Sequence, residues 1–575
     1  MRRRRPPVRT IRHARADLST PSALAPPLPL VPAASRVPWA WLADAATLLL
    51  FVAAAGGVSL LLGQDANWDL QNYHYYNPWA WVHDQRGYAW DIVAAQLQTY
   101  HNPLPDLPFY QMVREGWDPQ VIAFVLAVPT GIAAFFLLKI ARLVFGDLPR
   151  VQRTIAIAAA FTIGMTSGIG VGVLGTTMNE WPGAALTIAG LYVVIRSLAV
   201  APDGPLSRGA LALAGLLCGL AAGAKLTFGV FAVGLCAAIF WRTFWQPRFW
   251  WRATREAFTF GLAVLAGTAV TAGPWMWALW THFRNPIFPY GNIWIKSPWW
   301  GEYEAMGRPF GPHWLREWLV FPFDLAAPPA FFVTEVPYVD GRIPALYALA
   351  LTAIAAALLQ RVVGRGNDPG TADKGAPASR AIWQLLGIFW VASFLLWTYQ
   401  SSIFRYLVPL LMLTGPLLVG LLRSLARPAA AAAGTVMMTL VLLWTTTIPD
   451  WWRIDFGPSW FNVQVPAIEK NALVLLTTDG PMSYVLPFLP RDARFLGINN
   501  SISDARRQTL MEDTIRRTIR EHKGPIYSLT YPAGRGVDAL LERRILIITE
   551  TCLPIVTNMR TSPIEMCRVV RMPDP

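Results

Sequence analysis

The sequence predicts an all-α polytopic membrane protein with a small extracytoplasmic α/β domain at its C-terminal end. Hydrophobic residues make up 54% of the 575 residues and charged residues only 15%, whereas soluble domains average about 25% charged residues. The apolar residues lie in long blocks rather than in alternation, and the composition becomes that of a globular domain only from about residue 449. These observations indicate many transmembrane helices followed by one folded domain.

Apolar blocks of roughly 17–24 residues are long enough to cross the hydrocarbon core of a bilayer as helices. We identify about eleven such blocks, although three of them are short. They lie near residues 41–62, 120–138, 154–174, 183–195, 209–224, 227–241, 257–280, 344–360, 382–398, 406–422 and 428–447.

The distribution of Lys and Arg between these blocks predicts the orientation of the chain. Most of them fall in segments that lie inside if the N-terminus is inside, and the positive-inside rule therefore favours N-terminus in and C-terminus out. Residues 1–37, which include MRRRRPPVRTIRHAR, are predicted to be a disordered basic cytoplasmic tail beside anionic lipid. The net charge of +14 then follows from topology, and nucleic acid is not expected as a partner.

Residues 38–448 form the predicted transmembrane domain in an inner, cytoplasmic membrane, with large outer loops at 64–118 and 281–343. The predicted extracytoplasmic domain covers residues 449–575. In that domain ALVLLTT, PIYSLTY, RILIITE and EMCRVVRM have the composition of strands. Between the first two of these, SDARRQTLMEDTIRRTIREHKG places its apolar residues at helical spacing.

The four cysteines divide by position. Cys218 and Cys236 fall within predicted spans and are expected to be core thiols. Cys552 and Cys567 fall in the predicted outer domain, where disulfides persist, and a turn separates their two strands. We therefore predict a disulfide between Cys552 and Cys567, because antiparallel neighbours joined by such a turn bring two sulfurs within reach.

Several common catalytic motifs are missing from the sequence. The seven histidines form no HExxH motif, no CxxC occurs, and no GKS or GKT phosphate loop is present. A zinc hydrolase and a P-loop nucleotide hydrolase are therefore disfavoured. The candidate reactive groups are the carboxylates near the predicted outer surface.

Two of these carboxylates follow the first predicted span directly, within DANWDLQNYHYYNPWAWV. Asp69 lies where an interfacial helix is predicted to begin, and Tyr73, Tyr76 and Ala80 continue the phase of that helix. Asp69 is a candidate general base, and a helix N-cap is the structural alternative for the same residue. Asp65 lies closer to the span and is the other candidate for the catalytic carboxylate.

The segment DIVAAQLQTYHNPLPDLPFY combines prolines, aromatic rings and polar side chains. Such a segment suits sugar binding, because rings pack on pyranose faces while amides and carboxylates bind hydroxyl groups. A plain interfacial loop, whose rings anchor at lipid headgroups, is the alternative. The candidate substrate-binding residues are Tyr73, Gln98, His101, Asn102 and Asp106.

Single charges lie in three other predicted outer turns. Glu180, in GTTMNEWPGAAL, is a second candidate catalytic carboxylate, either as base or as ligand of a metal or acceptor. Lys225, in GLAAGAKLTFG, and Arg405, in YQSSIFRYLVPLL, lie where the phosphate of a lipid-linked donor would rest. Solvation of the carboxylate and snorkelling of the two cations are the alternatives.

Together these segments resemble the GT-C membrane glycosyltransferases, which use polyprenyl-phosphate-linked sugars and include protein O-mannosyltransferases, aminoarabinose transferases and dolichyl-phosphate-mannose-type enzymes. The resemblance rests on DLQNYHYYNPWAWV, YHNPLPDLPFY, MNEWP, AAGAKLT and IFRYLVPLL, and it covers residues 40–345 and 399–411. It implies a GT-C-like transmembrane fold. It also implies that Asp69 is the catalytic acidic residue, that Glu180 is the acidic residue of the second outer loop, and that Arg405 contacts the lipid phosphate.

The chain departs from these enzymes at one position. The aminoarabinose and mannosyl enzymes typically have two adjacent acidic residues where this chain has Asp69 and Leu70. The departure leaves open the subfamily and the use of a divalent metal ion, Mg²⁺ or Mn²⁺, held by Asp69 and Glu180. No other cofactor is expected, and the resemblance does not reach residues 449–575.

The residues and the resemblance predict an enzyme that moves a sugar from a polyprenyl-phosphate donor to an acceptor hydroxyl on the periplasmic or exterior face. The acceptor is left open among envelope glycan, lipid and protein. One alternative is a transporter or flippase of a lipid-linked substrate, which predicts ionisable groups at mid-membrane. A non-catalytic partner in envelope-glycan assembly is the other. Convergence of Asp69, Glu180 and Arg405 on one cavity would favour the enzyme.

Overall fold

The structure is a computed structural model, and it describes residues 39–83, 91–244, 250–301, 310–329, 331–362, 377–534, 536–559 and 563–573. The chain divides into two compact units, residues 1–46 and 47–575. Of the first unit the structure describes residues 39–46, which begin a long helix. The predicted basic tail, residues 1–37, lies outside the described residues.

Within the described residues, eight helices are long and apolar enough to cross a membrane, and the chain is a multi-pass integral membrane protein. The α-helices are α1 (Trp39–Leu62), α2 (Tyr76–Val82), α3 (Leu107–Arg114), α4 (Pro119–Val144), α5 (Arg150–Met165), α6 (Gly168–Gly172), α7 (Glu180–Val200), α8 (Arg208–Ala224), α9 (Gly229–Phe244), α10 (Trp250–Phe283), α11 (Asn292–Ile295), α12 (Leu315–Asp324), α13 (Arg342–Val362), α14 (Pro377–Gln400), α15 (Val408–Leu425), α16 (Pro428–Thr445), α17 (Leu510–Glu521) and α18 (Val537–Leu541).

Each predicted apolar block overlaps at least one helix, but eight of the described helices, fewer than the eleven predicted, are long and apolar enough to cross a membrane. The block at 183–195 looked short in the sequence, but α7 extends it to 21 residues. The blocks at 154–174, 209–224 and 227–241 correspond to helices α5, α8 and α9 of 16 or 17 residues. The first of these blocks is not one continuous helix, because Ser167 interrupts it and caps α6 by accepting a hydrogen bond from Gly170 N.

Small residues bring two of these helices close together beside the candidate site. Helices α8 and α10 pack so closely that a methyl group at Gly219 would overlap the carbonyl oxygen of Val264. A methyl group at Gly267 would likewise overlap the carbonyl oxygen of Leu216. Small residues at helix contacts are typical of membrane proteins, where packing rather than hydrophobic burial drives association. This contact fixes the end of α8, where Lys225 follows.

The structure has a two-stranded sheet, β1-β2, and a separate seven-stranded mixed sheet in the C-terminal part of the chain. The strands are β1 (Gln64–Asp65), β2 (Arg453–Ile454), β3 (Val463–Gln464), β4 (Leu473–Leu476), β5 (Arg494–Gly497), β6 (Ile526–Thr530), β7 (Ile545–Ile547), β8 (Leu553–Thr557) and β9 (Ile564–Arg571). The sheet order is β3-β8-β9-β6-β4-β5, with β7 also paired to β9. Strands β4, β5 and β6 are parallel, and the remaining pairs in this sheet are antiparallel.

The four strands and the main helix predicted for this region are present. Helix α17 buries Met511, Ile515 and Ile519 against the sheet, as their spacing indicated. Strands β2, β3, β5 and β8 were not predicted. The first two are only two residues long, and β8 carries Pro554, which counts against a strand in sequence patterns. A disulfide joins Cys552 to Cys567.

The sheet is tied to the first predicted outer loop. Strand β1, directly after α1, pairs antiparallel with β2. Farther along the loop, Ile92 continues the sheet beside β5, with its N–H donating to Phe495 O at 3.1 Å and its carbonyl accepting from Gly497 N at 2.8 Å. Ser483 also donates to the Ala94 carbonyl at 2.6 Å. These bonds hold in place the loop that carries most of the candidate site residues.

Candidate active site

Four charged side chains from four separate segments meet in one group. Asp69 immediately precedes a π-helical turn, Leu70–His74, and Glu180 is the first residue of α7. Lys225 follows the last residue of α8, and Arg405 lies in a 3₁₀ turn that leads into α15. The four residues therefore lie at or near the start or end of a helical segment.

The four charges alternate in sign along a chain of contacts. Arg405 Nη1 lies 2.8 Å from Asp69 Oδ2, and Arg405 Nε lies 3.9 Å from Glu180 Oε1. Lys225 Nζ lies 2.6 Å from the same Glu180 oxygen and also donates to the Met178 carbonyl at 2.7 Å. The side chains are 0–16% exposed, so water screens these charges far less than it would at a surface.

A fifth charge, Glu335, was missed by the sequence reasoning. Its Oε1 lies 3.8 Å from Arg405 Nη2, and its side chain is 37% exposed. The available signal was Glu335 itself, one of two carboxylates, with Asp340, in the largely apolar stretch FFVTEVPYVD of the second predicted outer loop. Arg405 also lies over the rings of Tyr406 and Trp451, with 5.5 and 5.7 Å between the guanidinium carbon and the ring centroids. These rings restrict the positions that the guanidinium can occupy.

Three buried polar atoms in this group have no hydrogen-bond partner among the described residues. They are Arg405 Nε, Glu180 Oε2 and Glu335 Oε2. Buried polar atoms are usually satisfied, and a native exception calls for a water, an ion or a bound ligand. The group therefore has unused donor and acceptor capacity where the opposite charges meet.

Asp69 is ionised at neutral pH. Burial by itself would raise the pKa of Asp69, but the nearby positive charges, Arg405 foremost, outweigh it and hold the pKa below its ordinary value. Asp69 makes no side-chain capping hydrogen bond. The N-cap alternative therefore does not account for this carboxylate.

Both carboxylate oxygens of Asp65, the other candidate, accept hydrogen bonds from neighbouring protein groups. Its Oδ1 accepts hydrogen bonds from the backbone and side-chain nitrogens of Asn67 at 3.1 and 2.6 Å. Its Oδ2 accepts from the backbone N and hydroxyl of Thr177 at 2.8 and 2.9 Å. The side chain is completely buried. Asp65 thus fastens the end of α1 to the turn that precedes Glu180.

Asp106 also holds a second structural contact to the same turn. Its Oδ1 accepts from Asn179 Nδ2 at 2.7 Å and lies 2.9 Å from His74 Nδ1. Asn179 has a φ of +66°, a left-handed conformation that Asn tolerates better than most residues. The contact sets the backbone immediately before Glu180, and Asp106 therefore orients the acidic group rather than standing free in a pocket.

The two predicted amides, Gln98 and Asn102, also make hydrogen bonds to neighbouring protein groups. Gln98 Oε1 accepts from Asn72 Nδ2 at 3.2 Å. Asn102 Nδ2 donates to the carbonyl oxygens of Gly223 and Thr271 at 2.9 and 2.8 Å. Asn102 therefore joins the first predicted outer loop to the end of α8, two residues before Lys225.

Tyr73 and His101 supply the aromatic part of the group. The Tyr73 ring lies 4.0 Å from the His74 ring and meets the His101 ring edge-on at 5.2 Å. His101 Nε2 lies 2.7 Å from the hydroxyl of Tyr290. Burial lowers the pKa of His101 to about 4 and raises the pKa of Tyr73 well above its ordinary value. Both rings are therefore neutral at pH 7.

The paired carboxylates do not suit a divalent metal. Asp69 and Glu180 already neutralise the two cations at 2.8 and 2.6 Å, and a metal ion would have to displace both. Among the described residues, the one cluster of three metal-ligating side chains is Cys552, Glu565 and Cys567, in which a disulfide consumes both cysteines. We derive no step through a metal ion.

No protein-family model and no curated protein matches the chain. Among solved structures, the chain is similar to ArnT from Cupriavidus metallidurans bound to undecaprenyl phosphate, with a TM-score of 0.42 and 16% identity over 70% of this chain and 64% of that chain. The chain is also similar to ArnT from the same organism in the apo state, with a TM-score of 0.43 and 13% identity over 91% of this chain and 98% of that chain. A third similar structure is the oligosaccharyltransferase AglB from Archaeoglobus fulgidus in complex with an inhibitory peptide and a dolichol-phosphate. Its TM-score is 0.43, and the identity is 11% over 84% of this chain and 69% of that chain.

The likeness to these structures concerns the fold alone, at 11–16% identity. TM-scores below 0.5 at these identities do not transfer an activity or a residue role. The function is therefore argued from the charged group itself.

Proposed function

We propose that the chain is a membrane glycosyltransferase that moves a sugar from a polyprenyl-phosphate-linked donor to an acceptor hydroxyl. The observation that carries the proposal is the buried chain of contacts Asp69, Arg405, Glu180 and Lys225. It combines a carboxylate able to accept a proton with two cations able to bind a phosphate. The motifs that resemble GT-C enzymes contribute all four of these residues.

In this mechanism Asp69 takes the proton of the acceptor hydroxyl while that oxygen attacks the anomeric carbon. The bond between the anomeric carbon and the phosphate oxygen breaks, and polyprenyl phosphate leaves with the electron pair. Asp69 is preferred to Asp65 because all four hydrogen bonds to Asp65 come from neighbouring protein groups. General-base assistance of this kind contributes about 10²–10⁴-fold to a rate.

Arg405 and Lys225 are proposed to bind the donor phosphate. The donor is a phosphodiester with one negative charge, and the leaving group is a monoester on which further negative charge develops. Cations beside the phosphate therefore stabilise the transition state more than the bound donor, which is the condition for catalysis. The unpartnered Nε of Arg405 is one donor available for this contact.

Donor binding has a direct consequence for the base. Arg405 pairs with Asp69, and this charge helps to hold the pKa of the carboxyl low. A phosphate that draws the guanidinium away would leave Asp69 buried with less compensation, and its basicity would rise. Arg405 would thus couple phosphate binding to activation of Asp69.

The rest of the proposal concerns placement. The eleven apolar blocks are proposed to cross the inner membrane with N-terminus in and C-terminus out, in a GT-C-like arrangement. The charged group would then face the periplasm or exterior, with residues 38–448 as the membrane domain and 449–575 as the extracytoplasmic domain. Tyr73 and His101 would contact the sugar, because their neutral rings lie beside Asp69.

Reconstitution tests the proposal directly. The purified chain in liposomes that contain a polyprenyl-phosphate sugar should release polyprenyl phosphate when a hydroxyl acceptor is supplied. Asp69→Asn should lower turnover about 10²–10⁴-fold. Asp340→Asn is the matched control, because Asp340 is equally buried and also 2.8 Å from an arginine. Turnover per folded protein should survive in the control, and full turnover in Asp69→Asn would refute Asp69 as the base.

A further inference from the structure

A polar cavity lies in the C-terminal sheet region, apart from the charged group. Its volume is about 690 Å³, and none of its described lining residues belongs to the group around Asp69. These lining residues lie within 498–507 after β5 and within 532–534 and 536–543 after β6. Both segments leave the carboxyl ends of parallel strands.

The sheet topology favours a ligand at this place. Strand β4 is flanked by β5 on one side and β6 on the other, and the chain reaches these neighbours in opposite directions. Ligands in open parallel sheets bind outside the carboxyl ends of the strands at such a reversal. At Gly536, with a φ of +61°, an added methyl group would overlap the Thr477 carbonyl oxygen at the end of β4. The loop after β6 therefore folds tightly over the strand ends and closes one side of the cavity.

The described part of the cavity wall carries side chains of both charge signs. The charged lining residues are Asp504, Arg506, Arg507, Asp538, Glu542 and Arg543. Asn499, Asn500, Ser501 and Ser503 also line the cavity. The described wall thus offers hydrogen-bond donors and acceptors from both charged and neutral side chains.

One buried group in the wall is incompletely satisfied. Arg543 has a side chain only 1% exposed, and it pairs with Glu512 at 2.8 Å. Its Nη2 also donates to the Ser503 hydroxyl at 3.3 Å. The Nε atom is buried and has no hydrogen-bond partner among the described residues. A buried guanidinium with an unused donor beside a cavity calls for a ligand oxygen or a water.

We propose that this cavity binds a neutral saccharide. Each sugar hydroxyl both donates and accepts, so it is matched by a wall that mixes guanidinium, amide and carboxylate groups. A phosphate or nucleotide would meet the carboxylates of Asp504, Asp538 and Glu542 in the same wall, which repel an anion, and an apolar ligand would leave these polar groups unpaired. The further assignment of this saccharide as the acceptor glycan rests on the proposed function; saccharide binding itself does not.

The test uses the full-length chain in nanodiscs, without donor. Binding of maltotriose, mannotriose and chitotriose is measured by saturation-transfer NMR and titration, with inorganic phosphate as the competing probe. For whichever trisaccharide binds, Arg506→Ala should lower the affinity about tenfold or more, as expected for a lost hydrogen bond to a charged group. Arg568→Ala is the matched control, since both arginines are exposed and pair with a glutamate, at 3.0 and 2.8 Å.

Ser501→Trp, at an exposed lining position, supplies a second variant that obstructs the cavity without removing a charge. Loss of binding in both cavity variants, with binding retained in Arg568→Ala, supports the proposal. Absence of binding by all three trisaccharides, or binding that survives both cavity variants, overturns it. Competition by inorganic phosphate overturns the ligand class.

Asp69→Asn separates this proposal from the proposed function. That variant should bind the saccharide as the wild type does, because Asp69 does not line the cavity. If no donor turnover is found but the cavity variants lose binding, the saccharide site stands and the proposed function fails. If turnover is found and the cavity variants bind the saccharide normally, the proposed function stands and the saccharide site fails.

Discussion

Arg405→Lys should weaken donor binding while preserving the charge at the centre of the group. Three nitrogens of the Arg405 guanidinium face three different carboxylates, at 2.8 Å from Asp69, 3.9 Å from Glu180 and 3.8 Å from Glu335. A lysine ammonium is one compact centre, so it can keep one of these contacts but cannot span all three. The same loss applies to a phosphate that needs two donors from one fork.

The expected magnitude follows from the contacts that disappear. A hydrogen bond to a charged group contributes about 1.5–3 kcal/mol, and each 1.4 kcal/mol is about tenfold in affinity. One lost donor to the phosphate therefore predicts a donor KM about 10–100-fold higher. The stability cost should be smaller than the roughly 3–5 kcal/mol of a broken buried pair, because the ammonium still compensates Asp69.

The assay measures release of polyprenyl phosphate in proteoliposomes as a function of donor concentration, so that kcat and KM are obtained separately. Arg242→Lys is the matched control, because Arg242 is buried and lies 2.8 Å from Glu256 but is not part of the charged group. Its donor KM should equal that of the wild type. A donor KM for Arg405→Lys within about twofold of the wild-type value would refute phosphate binding by Arg405.

Four further outcomes are expected. Burial lowers the pKa of His101 to about 4, from about 6.5 in an unfolded chain. As the pH falls, the unfolded state therefore binds a proton at His101 before the folded state does. Stability should then fall as the pH drops from about 6.5 to 4, and His101→Gln should flatten that part of a melting profile. EDTA should leave turnover unchanged, because cations of the protein already pair with the two carboxylates. Maleimide should label neither Cys552 nor Cys567 in unfolded, unreduced protein, and reduction should cost about 3 kcal/mol for this short loop. Asp65→Asn should lower stability and reduce turnover only modestly.

The helices were readily predicted from the sequence because a membrane span needs one property, a long apolar run. The same holds for α17, in which Met511, Ile515 and Ile519 mark one face. Some strands were harder to predict, because β8, for example, lies between β3 and β9 and depends on pairing with them rather than on its own pattern. The local periodicity of a segment does not show which distant segment it will pair with.

The residues of the charged group were also singled out in the sequence, because isolated charges at the ends of apolar blocks are conspicuous. Their pairing was not predictable. Arg405 and Lys225 were predicted to be phosphate ligands, with snorkelling as the alternative, whereas the structure pairs each of them with a carboxylate. Glu335 was missed because a carboxylate in a long loop gives no sign of the element that it will face.

Asp65 shows how a structural and a catalytic carboxylate can be told apart. Its Oδ2 accepts two bonds from Thr177, and an asparagine could accept these bonds only with its single amide oxygen, which would then be unavailable to Asn67. Asp65→Asn should therefore lose about 1.5–3 kcal/mol of stability from weakened charge-assisted bonds. Turnover should fall through misplacement of the turn before Glu180, with the donor KM little changed. If Asp65 were the base instead, the same substitution would lower kcat about 10²–10⁴-fold at an unchanged melting temperature. Measuring melting temperature and kcat on one preparation decides between the two roles.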